Sequence, residues 1–165
     1  MPRDASLMPR AGSDSAAQRE AEKAALKLVG EELGLHKIEP QRRFQIGPAA
    51  VIVDAFAESQ DEVVLLEVNA RVGTAMKTAM KNKVLKDTLK MLLIERTLAP
   101  QWVGKRVRKL LVFLDPIARG SFGPKAWPNQ AWAEFGVETV VVDVPEPHRT
   151  ALVAAQKAQD LRSDG

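Results

Sequence analysis

The chain of 165 residues contains no cysteine and no tyrosine, and aromatic residues make up only 5% of it. Without cysteine, disulfide bonds and zinc sites built on thiolates are excluded, and a cytoplasmic location is the expectation. No apolar run approaches the roughly 18 residues that indicate a transmembrane helix, so no membrane association is predicted. The N-terminal sequence MPRDASLMPRAGSDS also lacks the apolar stretch of a secretory signal.

The length predicts one domain with a sizeable hydrophobic core. Residues 1–14 combine proline, glycine, serine and charged residues without periodicity, which is typical of a disordered tail. We therefore expect a single domain over residues 15–165. The oligomeric state is left open, with a homodimer as one option.

The formal net charge of +3 is distributed unevenly along the chain. Residues 71–109 contain 11 Lys and Arg against 2 Asp and Glu, whereas residues 1–70 contain 8 against 12 and residues 110–165 contain 5 against 7. A basic segment of this kind suits the backbone of a nucleic acid, where neutralisation of phosphates dominates the affinity. A lysine-rich, solvated helix explains the same excess without a partner.

A β-hairpin is predicted where the apolar runs VIVDAF and VVLLEV flank the polar segment AESQDE. With the turn centred just after Gln60, Phe56 pairs with Leu65 and Asp54 pairs with Glu67. Residues opposed in this way have Cβ atoms about 4.5–5.5 Å apart. The predicted register therefore sets two carboxylates side by side in strands that are otherwise apolar.

Facing carboxylates repel each other, and burying either one without a partner costs further free energy. A divalent cation removes both penalties, and Mg²⁺ typically takes one or two carboxylates together with waters and substrate phosphates. Asp54 and Glu67 are therefore candidate ligands for Mg²⁺ or Mn²⁺. The alternative is that this face of the hairpin is solvated and both acids point into water.

A long helix is predicted to begin near Thr74. At about 100° per residue, its apolar residues form one stripe that should pack on the sheet. Lys77 and Lys81 fall on this stripe, where an ammonium group could reach the acidic pair; the alternative is snorkelling to the edge of the core. The predicted stripe consists of Met80, Val84, Leu85, Thr88, Met91 and Leu92, and the predicted solvated face carries Lys83, Lys86 and Lys90.

These residues resemble the motifs of the PD-(D/E)xK nuclease superfamily. Asp54, then Glu67 after a hairpin, then a helix with inward lysines follow the order of that superfamily's site. Two segments are similar to small bacterial members, namely ExxARxG at residues 67–73 and KDxLKxL at residues 86–92. The resemblance covers about residues 15–115 in element order. It implies a restriction-endonuclease-like fold and metal-dependent hydrolysis of nucleic acid.

Asn69 departs from the superfamily pattern, which has a lysine two residues after the acid. Asparagine can hold a water or a phosphate oxygen, but it carries no positive charge. In some members the lysine is moved to the following helix, and Lys81 or Lys77 matches that variant. Many members also carry an acid on the first helix that completes the metal site. Glu22 matches it, although an acid near a helix N-terminus also suits the helix dipole.

The remaining chain predicts an α/β fold. A helix over residues 15–33 and a strand over residues 41–46 precede the hairpin, and the apolar runs KLLVFL and VETVVVDV predict strands buried on both faces. Helices are predicted over residues 128–135 and 147–161, and strand–helix–strand connections favour parallel pairing. The predicted order is αβββαβαβα. It corresponds to a restriction-endonuclease-like αβββαβ core with an additional helix–strand–helix, in which helices flank a central mixed sheet.

The function hypothesis is a metal-dependent endo- or exonuclease that acts on nucleic acid, DNA in the first instance. Asp54, Glu67 and the carbonyl of Val68 are expected to bind Mg²⁺ or Mn²⁺. Lys81 or Lys77 would neutralise the phosphate, Asn69 would hold a water, and Glu22 would complete the site.

Cations near the acids are the candidate contacts to backbone phosphates, namely Arg71, Lys77, Lys81, Arg42 and Arg43. A salt bridge to a nearby acid is the alternative for Arg71. Protection of an edge strand is the alternative for Arg42 and Arg43. Two other functions are open. One is a catalytically degenerate domain of this fold that serves as a nucleic-acid-binding or assembly module, and the other is a plain α/β interaction protein.

Overall fold

The computed structural model describes residues 12–163, including the side chains of residues 16–162. Most of the predicted tail, residues 1–11, lies outside the described residues, whereas residues 12–14 belong to the first helix. Every helix in the described range is too short or too polar to cross a lipid bilayer. The elements are α1 (Gly12–Leu33), β1 (Glu39–Ile46), β2 (Ala49–Glu58), β3 (Glu62–Asn69), α2 (Thr78–Leu98), β4 (Arg106–Phe113), α3 (Pro116–Gly120), α4 (Trp127–Glu134), β5 (Val137–Val141) and α5 (His148–Ser163).

The five strands form one mixed sheet in the order β1-β2-β3-β4-β5. β1, β2 and β3 are antiparallel neighbours, while β3, β4 and β5 run parallel, as the strand–helix–strand pattern predicted. In the hairpin of β2 and β3, Phe56 pairs with Leu65, which confirms the predicted register. β3 is the central strand, and residues 63–68 of it are buried.

Two hydrophobic cores lie on opposite faces of this sheet. α1 and α5 cover one face, where Ala25 and Val29 of α1 and Leu152 of α5 join Leu66 of β3. α2, α3 and α4 cover the other face, with Val84, Met91, Ala118 and Trp132 in one cluster. Trp132 Nε1 also donates a hydrogen bond to Thr88 Oγ1 at 3.0 Å, so this tryptophan is a packing residue rather than a surface for stacking bases.

α2 begins at Thr78, later than the predicted Thr74. Residues 70–77 form a loop instead, because side chains from distant elements accept hydrogen bonds from its backbone N–H groups. This satisfies donors that would otherwise lie unpaired near the core. The pairs are Val72 N with Gln156 Oε1 at 2.8 Å, Gly73 N with Asp115 Oδ2 at 2.6 Å and Met76 N with Ser121 Oγ at 2.7 Å.

The buried face of α2 is also rotated relative to the predicted stripe. Asp87 and Ile94 belong to it, whereas Leu85 and Leu92 are only partly buried. The predicted stripe did not include Asp87 or Ile94, so its centre lay away from the true position. The buried residues are Val84, Asp87, Thr88, Met91 and Ile94.

Candidate functional site

Asp54 lies at an irregular point of the sheet. β1 and β2 are paired on both sides of Gln41 and Asp54, but these two residues are not paired with each other. Gln41 has a φ of 52°, which is uncommon for a residue other than glycine. The pairing of β2 with β3 stops one step before Asp54 and Glu67. Outside the ladder, Asp54 Oδ2 accepts a hydrogen bond from Val68 N at 2.8 Å. This contact draws Asp54 to the strand that carries Glu67.

Glu67 is almost completely buried, with 2% of its surface exposed. Loss of hydration, followed by the charges of Asp54 and Asp87, raises the pKa of Glu67 to about 9 despite the opposing effect of Lys90. Lys90 Nζ lies 2.5 Å from Glu67 Oε1. The approach lacks hydrogen-bond geometry, however, so this oxygen has no hydrogen-bond partner among the described residues. The carboxyl group therefore keeps its proton at neutral pH, and its Oε1 is a buried oxygen beside the Lys90 ammonium group.

This environment fits a divalent cation. Two acidic side chains from adjacent strands, of which Glu67 would lose its proton on binding the ion, are a donor set that Mg²⁺ accepts together with waters. Within residues 12–163 no three acidic or histidine side chains are grouped so that one ion could bind all of them. A metal site here would therefore take no acidic ligands beyond Asp54 and Glu67, and the contribution of the Val68 carbonyl stays a prediction.

The stability of the metal-free protein is expected to fall as the pH rises from about 5 to about 9. The folded chain keeps the proton of Glu67 up to a pKa of about 9, whereas the ordinary pKa of this group is 4.5. Between these values the folded state binds more protons than the unfolded state. A rising pH therefore favours unfolding, by at most about 1.4 kcal/mol per pH unit. The measurement is the melting temperature in EDTA across this range.

The Glu67→Gln variant isolates this effect, since glutamine has the shape of the neutral carboxyl group but does not ionise. Its melting temperature should exceed that of the wild type by an increasing margin towards pH 9. Two melting curves that stay parallel across the range would mean that Glu67 is already ionised in the folded protein.

Two lysines of α2 lie beside the acidic pair. Lys90, only 28% exposed, contacts Glu67 as described, and Lys83 Nζ donates to Asp87 Oδ2 at 3.0 Å. Desolvation lowers the pKa of Lys83, but Asp87, and then Asp54 and Glu67, raise it by more. Asp87 Oδ1 also lies 3.4 Å from Lys90 Nζ. The buried carboxylate of Asp87 thus holds the ammonium groups of Lys83 and Lys90 close to Asp54 and Glu67.

The structure does not bring the predicted Lys77 and Lys81 to the acidic pair. Lys77 precedes α2, is 58% exposed, and lies with its Nζ 3.4 Å from Asp160 Oδ1. Lys81 Nζ lies 6.0 Å from the centre of the Phe122 ring. The prediction that Lys77 faces inward and that Lys90 faces solvent is wrong, because the helix starts later and its buried face is rotated.

Sequence reasoning missed Lys83, Asp87 and Lys90 as site residues. Their spacing of four and then three residues places them along one face of a helix, where opposite charges support each other. The KDxLKxL segment contains Asp87 and Lys90, so the signal was present. This signal was overlooked because an acidic residue among lysines normally indicates a solvent-exposed surface.

Glu22 on α1 is half-buried and lies near the same acids. Desolvation raises its pKa, a hydrogen bond from Gln18 Nε2 at 3.1 Å lowers it, and the charge of Asp54 raises it further. The structure therefore brings the first-helix acid within electrostatic range of Asp54, although its role in a metal site stays a prediction.

Asn69 and Arg71 form the start of the loop that follows β3. Asn69 Oδ1 accepts a hydrogen bond from Arg71 N at 3.1 Å, so its amide oxygen shapes this loop. The Arg71 side chain is 7% exposed, donates to Thr74 Oγ1 at 3.0 Å, and pairs with Asp160 at 3.4 Å. The salt bridge that was the alternative for Arg71 is thus present.

Arg42 and Arg43 lie on β1, an edge strand of the sheet. Arg42 pairs with Glu39 at 2.9 Å, and its guanidinium carbon lies 5.5 Å and 5.3 Å from the ring centres of Phe44 and Phe56. Its contacts are therefore local to this edge. Arg43 is exposed, and its contact to nucleic acid stays a prediction.

A cleft of about 220 Å³ opens at the carboxyl end of β3, between α1, α2 and α5. Val68 and Lys83 line it, and both also belong to the surroundings of the acidic pair. The cleft therefore lies beside the acidic pair, although neither Asp54 nor Glu67 lines it. Its polar lining residues are Gln18, Asn69, Arg71, Lys83, Gln156 and Gln159.

No protein-family model matches the sequence, and no curated protein matches it significantly. The solved structures that are similar to this chain include two with a TM-score above 0.5. An XisH family protein from Nostoc punctiforme has a TM-score of 0.51 at 15% identity, covering 75% of this chain and 91% of that chain. An fdxN element excision controlling factor protein from Anabaena variabilis has a TM-score of 0.52 at 15% identity, covering 78% and 92%.

Identities this low bear on the fold alone. Five strands in one mixed sheet, with helices on both faces, match the predicted α/β architecture. The chain therefore has the restriction-endonuclease-like fold.

Proposed function

We propose that this chain is a divalent-metal-dependent nuclease that hydrolyses phosphodiester bonds in nucleic acid, with DNA as the expected substrate. The observation that carries the proposal is the convergence of Asp54 and Glu67 with the ammonium group of Lys90 at one end of the sheet. Two acids beside one lysine are the set that the resemblance to PD-(D/E)xK nucleases implies, here with the lysine supplied by α2.

In this proposal Asp54, Glu67 and the carbonyl of Val68 hold Mg²⁺ or Mn²⁺. Such an ion supplies positive charge that stabilises the phosphate during attack by water. Lys90 and Lys83 neutralise the phosphate and orient the water through their N–H donors, in the role first expected of Lys81 or Lys77. The free amide nitrogen of Asn69 is suited to hold a water, and Glu22 supports the site from α1.

Phosphates of the substrate backbone would contact the cations nearest the cleft. Arg71 lines it, and Lys77 shares Asp160 with Arg71, so an incoming phosphate would compete with one carboxylate for both cations. Neither Lys81 nor Arg43 is among the residues that line the cleft. Contacts of this kind fix the position of the strand and contribute little sequence specificity.

A second candidate is a catalytically degenerate module that binds nucleic acid or assembles with partners. Asn69 favours it, because the superfamily's lysine belongs at that position. The two candidates differ in their need for a cation, since a binding module requires none.

The test is cleavage of labelled DNA in Mg²⁺, Mn²⁺ or EDTA, together with the melting temperature in each. We expect cleavage with either cation, none in EDTA, and a cation-dependent rise in melting temperature, because a ligand of the folded state stabilises it. Cleavage that persists in EDTA would contradict the proposed metal site. Retarded DNA migration with neither cleavage nor a cation-dependent melting shift would favour the binding module.

A further inference from the structure

Arg119 of α3 is a partly buried cation whose hydrogen-bond partners within the described residues are neutral. Its Nε donates to Thr139 Oγ1 at 3.2 Å, and its Nη2 donates to Asn129 Oδ1 at 2.7 Å. Among the residues whose side chains the structure describes, no carboxylate forms an ion pair with it. Charged groups in such a position are normally paired, because their loss of hydration costs free energy. The charge of Arg119 therefore lacks an internal counter-charge.

Arg108 of β4 shows the contrasting case of a paired guanidinium in the same protein. Two hydrogen bonds of 2.8 Å join it to Glu138, and they raise its pKa. Burial lowers the pKa of Arg119, and no acid opposes this effect. An anion from outside the chain would supply the missing counter-charge.

The guanidinium of Arg119 is held in one orientation. Its central carbon lies 5.8 Å from the centre of the Phe113 ring and 5.3 Å from that of the Trp132 ring. The Asn129 amide that accepts from it is itself fixed, because its Nδ2 donates to the backbone carbonyls of Phe122 and Gly123. Nη1 has no hydrogen-bond partner in the described part of the chain and is not among its buried atoms. A rigid guanidinium thus presents free N–H donors to solvent.

The surface around Arg119 carries positive charge. Residues 116–133 contain Arg119 and Lys125 but no aspartate or glutamate. Lys81 of α2 lies 6.0 Å from the centre of the Phe122 ring, and this ring packs on Trp132 with their centres 4.9 Å apart. A second cation therefore rests on the aromatic cluster that holds Arg119. Such a surface attracts the backbone of a nucleic acid.

We infer that Arg119 binds a backbone phosphate of nucleic acid at a site separate from the acidic pair. Thr139, which orients Arg119, belongs to β5, two strands away from the strand of Glu67. A guanidinium with free donors in one plane can bind a phosphate through two hydrogen bonds. The inference rests on the proposed function only in taking nucleic acid as the partner. Contacts of this kind strengthen binding without reading the sequence.

The test is the affinity for labelled DNA, measured by fluorescence anisotropy in EDTA at several salt concentrations. Arg119→Gln should bind about tenfold more weakly, since it loses hydrogen bonds to a charged group. The plot of log affinity against log salt concentration should also become less steep by about one. The matched control is Arg106→Gln, which removes an exposed arginine at the amino end of β4 and should change neither quantity. Equal losses in both variants would overturn the inference, because only the total charge would then matter.

Arg119→Lys provides a second variant in case Arg119→Gln does not fold. Lysine keeps the positive charge but not the planar fork. We expect weaker binding than in the wild type at an unchanged salt dependence. Wild-type affinity in Arg119→Lys would contradict a phosphate held through two hydrogen bonds.

Poly-aspartate and inorganic phosphate serve as competitors, each at the same concentration of negative charge as the DNA. Displacement of DNA from the wild type by either one would assign Arg119 to a protein carboxylate or to free phosphate, and would overturn the inference. Cleavage in Mn²⁺ is followed in parallel. Binding that depends on Arg119 without any cleavage would refute the nuclease function alone. Cleavage by the wild type, with unchanged DNA binding in Arg119→Gln, would refute the phosphate site alone.

Discussion

Replacing Asp54 with asparagine is expected to slow cleavage by about 10³-fold or more while the protein stays folded. The asparagine oxygen can still accept the hydrogen bond from Val68 N, but one of the two carboxylate charges for the cation is lost. A catalytic metal contributes several kcal/mol to the transition state, and about 1.4 kcal/mol corresponds to a factor of ten in rate. The measurement is the single-turnover rate on labelled DNA in Mn²⁺.

The control for this variant is Glu58→Gln, which removes another acid of β2. Glu58 pairs with Lys105 at 2.9 Å on the surface and should be dispensable for cleavage. The melting temperature of Asp54→Asn in EDTA should match or exceed that of the wild type, because the charge that raises the pKa of Glu67 is removed. Wild-type cleavage by Asp54→Asn would show that the acidic pair is not the metal site.

Two lysines of α2 provide a second comparison within the same experiment. Lys90→Met removes the ammonium group 2.5 Å from Glu67, whereas Lys81→Met removes one that lies over the Phe122 ring. Loss of cleavage in Lys90→Met alone would confirm which lysine serves the site. The reverse result would restore Lys81 as the lysine of the site and contradict the role proposed for Lys90.

The position of the acids could be predicted from the sequence because a hairpin has few degrees of freedom. Once the runs VIVDAF and VVLLEV were placed on two strands, the turn determined the register, and Phe56 does pair with Leu65. The apolar run of β4 likewise indicated a buried strand, and the strand–helix–strand connections indicated parallel pairing. The prediction that β5 is buried on both faces is wrong, because β5 is an edge strand and only Val137 of it is buried. The pattern that indicates a strand depends only on residues close together in the sequence, and each of these runs does form a strand of the sheet.

The lysines could not be placed in the same way, because the start of α2 depends on distant residues. Gln156, Asp115 and Ser121 hold residues 70–77 out of the helix, and none of them is near that loop in sequence. A buried Asp87 also contradicts the usual rule that charged residues mark the solvated face. Its burial is explained only by Lys83 and Lys90, which in turn face acids on other elements. Periodicity in one helix contains none of this information.

Replacing Asp115 with alanine is expected to produce the largest loss of stability, about 2–4 kcal/mol, since it removes the N-cap of α3 together with hydrogen bonds to a charged group. Asp115 is 1% exposed and accepts hydrogen bonds from Gly73 N at 2.6 Å, Ile117 N at 2.7 Å and the Arg149 guanidinium at 2.8 Å. Burial alone would raise the pKa of Asp115, but these donors lower it below its ordinary value. The contribution of this group is therefore present above pH 3.8 and is lost only as the pH falls through the lowered pKa.

The same carboxylate links the loop after β3, the start of α3 and the start of α5, so its removal should also loosen α5. For a domain of this size we expect the melting temperature to fall by roughly 10 °C at neutral pH. The control is Asp143→Ala, an exposed acid after β5, which should change stability by no more than about 0.5 kcal/mol. If Asp115→Ala and Asp143→Ala have the same melting temperature in neutral buffer, the Asp115 contacts do not anchor α5. If only Asp115→Ala melts early, this buried carboxylate holds α5 to the loop after β3.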